Sequence, residues 1–197
     1  MSYLGNADYQ RLYLEGAKSA GTEHGTYAGL LTVDNEQSIS VNVATMYGQV
    51  KVSVELQAKA PAVDSSWDDI AEISLLKTAG DVVTLVNGSG DEIEEPETLI
   101  GEDMRGNFRI RIHRSGQGFD EGEEPTSYED PRTERLLLIV WPSPQVLEPT
   151  VIQMNSASAR ETQEWSETHE SDEGWHAESD MDPDELAQIE RNLRQVE

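Results

Sequence analysis

Residues 107–113 read NFRIRIH, and their alternation sets Arg109, Arg111 and His113 on one side and Phe108, Ile110 and Ile112 on the other. That is the period-two pattern of a strand with one buried and one wet face. A row of guanidinium groups on such a face can clamp a carboxylate or phosphate bidentately, which makes Arg109 and Arg111 a candidate anion clamp. The same row can instead pair with acids across the sheet, and the pattern alone does not choose.

Acids supply the second candidate. The 197 residues hold 39 Asp and Glu against 14 Lys and Arg, a net charge of −25. Phosphates would be repelled by such a chain, so direct binding to nucleic acid or to an anionic membrane is disfavoured and a basic protein partner is favoured. The acids concentrate in loops of the second half, where Asp91, Glu92, Glu94 and Glu95 form one group and Asp120, Glu121, Glu123 and Glu124 another. Projected from one end of a β domain, these loops would steer a basic partner at long range, or would serve only solubility.

Catalytic and metal chemistry find little to use. The chain has no cysteine, so thiolate nucleophiles, thiolate metal sites and disulfides are excluded. Neither the sequence at 87–90 (NGSG) nor that at 115–118 (SGQG) makes a nucleophile elbow, and no phosphate-binding or dinucleotide motif occurs. His169 and His176 lie among acids at no metal-ligand spacing. The expectation is a protein without catalytic residues, metal or cofactor.

The elements that must position these residues are mostly strands. A continuous apolar run over 136–141, closed by Pro142, fits a strand covered on both faces and neighbouring 107–113 across a long acidic loop. Residues 1–20 carry a short apolar and aromatic set that is either a helical turn or an edge strand, and 16–25 reads as a small-residue connector. Stretches 26–33, 38–45 and 49–57 then read as a three-strand meander joined by short turns. Residues 67–76 suit a helical turn passing into strand, 81–86 a further strand, and 87–90 a turn. Of 18 or so residues, the loop at 116–133 exceeds the usual connection and is therefore functional or disordered.

Beyond residue 152 the composition becomes polar and acidic, which predicts a disordered linker over 153–181. Asp182, Pro183 and Glu185 then make a helix start, with Leu186, Ile189, Leu193 and Val196 on one stripe of a short amphipathic helix over 182–197. At that length the helix needs a partner surface, so it either packs back or docks in a groove elsewhere. The expected fold is all-β, an antiparallel β-sandwich or partly open barrel over 1–152. No basic stretch leads into an apolar segment at the start, and no apolar run approaches 18 residues, so the expected location is the cytoplasm.

The order of features, from an aromatic patch through WDDIAEISL, GNFRIR and a strand ending in Trp141-Pro142, resembles a group of small bacterial β proteins. More distantly, the layout is similar to the competence protein J type of nuclease inhibitor. The resemblance covers about 25–144 and implies a β domain that inhibits or gives immunity against a basic nuclease or toxin. The alternative is a structural or adaptor protein of a phage or secretion particle, docking through the terminal helix. Oligomeric state is not encoded in any of these residues.

Overall fold

The computed structural model describes residues 2–21, 26–34, 38–78, 80, 82–87, 98–120, 122–123, 130 and 132–169. The acids at 91–97, residues 121 and 124, the turn at 88–90 and the terminal stripe from Leu186 to Val196 lie outside them. The chain divides into two compact units, Met1–Ser166 and Glu167–Glu197, and the first holds every strand among the described residues.

Strands β1 (Ser2–Asp8) and β2 (Arg11–Glu15) form a hairpin, so the opening residues are strand rather than helical turn. The connector expected over 16–25 contains a two-residue strand, β3 (Lys18–Ser19), paired with Leu76 and Leu75. The stretch 26–33 is two strands, β4 (Thr26–Ala28) and β5 (Leu31–Val33), folded on each other. Gly29, at φ +59°, supplies the left-handed turn that a single strand would not need.

β6 (Ile39–Asn42) pairs β5 as the meander requires, but its other neighbour is β2. β7 (Tyr47–Leu56) pairs β1 instead, antiparallel from Ser2↔Ser53 to Asp8↔Tyr47. The expected three-strand meander is therefore broken. The N-terminal hairpin takes both sites, and a seven-residue ladder on β1 outweighs what a short turn at 43–46 could impose.

β8 (Asp69–Lys77) starts without a helical turn, because its apolar residues face two covered sides rather than one stripe. β9 (Val83–Asn87) pairs both β2 and the short strand β10 (Thr98–Ile100). β11 (Gly106–Ser115) and β12 (Arg135–Pro142) are antiparallel neighbours, as their sequences indicate. β12 also runs parallel to β7, which is permitted because 78 residues separate Leu56 from Arg135 and no hairpin fixes their sense.

β13 (Thr150–Met154) then pairs β8, and helix α1 (Ala157–His169) follows. Residues 153–154 and 157–169, expected within a disordered linker, are thus strand and helix. Ser156 caps α1 by accepting the Ala159 amide at 3.1 Å, and Ala, Arg, Glu and Gln dominate its first two turns. Of the helix residues whose side chains are described, only Ala159 is buried, so there is no apolar stripe by which to recognise it.

Hydrogen bonding runs through all 13 strands, yet the single pair Asp8↔Arg11 joins two halves. One sheet is β1, β7, β12, β11 and β8 with β3 and β13 on its far edge; the other is β4, β5, β6, β2, β9 and β10. Their facing sides form one core, with Leu12, Leu14, Val41 and Leu85 from the second sheet against Val52, Ile73, Ile110 and Leu138 from the first. The fold is a mixed, mainly antiparallel β-sandwich that does not close into a barrel.

Candidate functional site

The outer face of the first sheet carries the arginine row, and it is not wet. Arg109 is 2% exposed and Arg111 5%, because residues 61–67 and 147–150 lie across them. Register decides the pairing. Arg111 sits directly opposite Glu72 on β8, and Arg109 is two residues along the same face. Glu72 accepts from Arg109 Nε at 3.1 Å and from Arg111 Nε at 2.7 Å, one carboxylate oxygen each. Arg109 spends its remaining donors on Ser74 Oγ, Thr150 Oγ1 and the carbonyls of Leu147 and Glu148. Arg111 donates to the carbonyls of Pro61 and Ala62 and lies 5.5 Å over the Trp141 ring. The anion that this pair holds is the chain's own Glu72.

His113, next on that face, is 1% exposed. Its Nδ1 stands 3.3 Å from the Leu137 carbonyl oxygen, which can only accept, so Nδ1 carries the proton of the neutral ring. Trp67 packs on it at 5.6 Å. Burial holds its pKa below the ordinary imidazole value; Arg111 adds to the fall, against an opposing hydrogen bond to Leu137 and the charges of Asp64 and Glu55.

A second charge network closes one end of the core face. Arg114, on the opposite side of β11 from Arg111, faces Asp69 in register. Its Nε and Nη2 reach Asp69 Oδ2 at 3.0 and 2.7 Å, and Nη2 also donates to Ser158 Oγ at 2.7 Å and to Ser156 Oγ. Arg114 Nη1 lies 3.5 Å from Glu134, whose carboxylate accepts the amides of Ala44 and Thr45 at 2.8 and 2.7 Å. Asp69 Oδ1 accepts the amides of Asn155 and Ser156. Burial pushes the Asp69 carboxyl up, but the Ser156 amide and hydroxyl with Arg114 more than reverse this, and its pKa lies below the ordinary carboxylate value.

Beside this network the start of the acidic loop is pinned to the sandwich. Gly118 (φ +73°) passes so close to residues 44–45 that a Cβ would stand 2.5 Å from the Thr45 amide nitrogen. Phe119 is buried, accepts the Met46 amide through its carbonyl at 2.9 Å, and lies under the Arg132 guanidinium. Asp120 and Glu123 follow, both exposed. Of the eight acids proposed from sequence, these are the two within the described residues. The structure brings Arg109 and Arg111 together, though as a closed pair with Glu72.

Sequence reading passed over the partners that matter most: Glu72, Asp69 and Glu134. A usable signal was present in the first two. Positions 69 and 72 are three apart, so on a strand they face opposite sides, and each meets an arginine of matching face on β11. Glu134 had no such signal, because it lies outside the β11–β12 register and the amides it accepts come from 44–45, some 90 residues away.

Fold and site together define a β-sandwich with internally compensated charge. No family model matches the chain, and no curated protein matches it. A solved structure described as "Crocagin biosynthetic gene J" is similar at 14% identity and a TM-score of 0.44, over 72% of this chain and 96% of that one.

Proposed function

We propose that this protein is an acidic protein-binding module that neutralises a basic partner, such as a nuclease or other toxin. One observation carries the reading. Among the described residues, four bases, Lys77, Arg109, Arg111 and Arg114, are buried, and four acids, Asp69, Glu72, Asp130 and Glu134, are buried or nearly so. Burial thus withdraws bases and acids in equal number there, and the excess of acid in a net charge of −25 is what draws a basic partner. Binding rather than catalysis is further supported by Asp69, Glu72 and Glu134, each already engaged by guanidinium or amide donors of the chain itself. No helix among the described residues is long and apolar enough to cross a membrane.

The test is retention of proteins from native host lysate on immobilised full-length chain, eluted by salt, beside a full-length variant with Asp91, Glu92, Glu94, Glu95, Asp120, Glu121, Glu123 and Glu124 replaced by Asn or Gln. A basic protein held by the first at moderate salt and lost by the second is the expected result. The adaptor reading draws on the stripe of Leu186, Ile189, Leu193 and Val196 after its proline-led start. A partner that survives the charge changes but is lost with Leu186→Ser and Leu193→Ser would favour it.

A further inference from the structure

We infer that the turn between β1 and β2 is an aromatic anchor that takes a cationic side chain of a basic protein partner, an inference that rests on the reading proposed above. The turn is two residues long, Tyr9 and Gln10, between the paired Asp8 and Arg11. Both have left-handed backbone, φ +48° and +60°. That is the mark of a type I′ hairpin, where Asn-Gly is the relaxed choice and a side chain as large as Tyr is strained. Tyr9 is nonetheless 70% exposed, more than any other large apolar side chain among the described residues.

The exposed ring is held in place. It meets Tyr47 edge to face at 5.0 Å, with 70° between the planes. Beneath it, Gln10 donates its amide to Met46 O at 3.1 Å, accepts the Val43 amide at 2.9 Å, and reaches Ala44 O with Nε2 at 3.4 Å. A rigid aromatic side chain presented to solvent loses little entropy when it is covered, which is why such groups serve as anchors in protein interfaces.

Its neighbourhood selects the occupant. Met46, which accepts from Gln10, donates its own amide to Phe119, and the next residues on that loop are Asp120 and, three further, Glu123. The 43–47 segment thus bonds both to the aromatic turn and to the start of an acidic loop. A guanidinium or ammonium group over the Tyr9 face gains from the ring quadrupole while the loop supplies the opposite charge. An anionic or purely apolar partner would gain only part of this.

The experiment titrates a fluorescein-labelled hexa-arginine peptide with the full chain, at about 0.15 M and about 0.5 M salt, so that exposed charge pairs are largely screened in the second arm. Tyr9→Phe should bind like the wild type. Tyr9→Leu, equally strained and apolar but without a ring, should bind about two- to fivefold more weakly at both salts. Tyr9→Asn relaxes the turn and should lose the same amount with no fall in melting temperature, which excludes unfolding as the cause. Asp120→Asn with Glu123→Gln should weaken binding at the lower salt and matter less at the higher. Equal binding by the wild type, Tyr9→Leu and Tyr9→Asn, with the acid variant still impaired, would overturn the anchor and leave the acidic-binder reading standing. Failure of the wild type to bind the peptide even at the lower salt would overturn both.

Discussion

Asp69 does more for this molecule than its place at the start of a strand suggests. One carboxylate oxygen holds Arg114 and the other holds the amides that lead into α1. Replacing it by Asn removes the charge while keeping the shape, and leaves Arg114 2% exposed with Glu134 as its remaining charged partner. Breaking a buried pair from one side typically costs about 3–5 kcal/mol, and urea unfolding of Asp69→Asn at neutral pH should show a loss of that order.

His113 sets the response to acid. Its folded pKa lies below the unfolded value of about 6.5, so the folded state binds fewer protons than the unfolded chain as the pH falls through that value. Stability is therefore full above about pH 6.5 and declines below it. Asp69, also depressed, adds a further loss only once the pH falls below the ordinary carboxylate range. Melting temperature measured from about pH 7.5 to about pH 5 should fall for the wild type and stay flatter for His113→Gln; equal slopes would show that another group controls this window.

At the scale of elements, α1 is fastened by side chains of the first sheet rather than by an apolar stripe. Ser156 and Ser158 hold Arg114, and Gln163 Oε1 accepts the Gly29 amide at 3.0 Å, linking the helix to the turn between β4 and β5. A chain ending at Asn155 loses the cap and these bonds, whereas one ending at His169 keeps them. Their unfolding free energies should differ in favour of the longer chain, by about 4–7 kcal/mol from one cap and two bonds to a charged group. Any deletion meant to test the acidic C-terminal residues should therefore stop after His169.

At the scale of the whole molecule, charge works against compactness. With a net charge of −25 and the buried arginines already neutralised inside, the remaining acids repel one another. Raising salt from about 10 mM to about 200 mM shortens the Debye length from roughly 30 Å to below about 10 Å and should raise the melting temperature of the free protein. The same salt should weaken its hold on a basic partner. A protein stabilised by salt but unbound by it has its charge placed for recognition rather than for folding.

Local pattern in the sequence determined the strands with the clearest alternation or apolar run and which of their sides are apolar. The alternation at 107–113 and 49–57 and the run at 136–141 are β11, β7 and β12, because side-chain direction in a strand depends only on position along it. Composition likewise determined the charge. Tertiary structure decided the partners. β6 lies beside β2 instead of β7, β12 runs parallel to β7, and Arg109 and Arg111 are covered by 61–67 and 147–150 rather than by water. Helix α1, with no stripe to announce it, exists through Ser156, Asp69 and Arg114. Those contacts reach across roughly 40 to 90 residues of chain, and pairing over such distances is set by the competition among all strands for the same edges, which no local window contains.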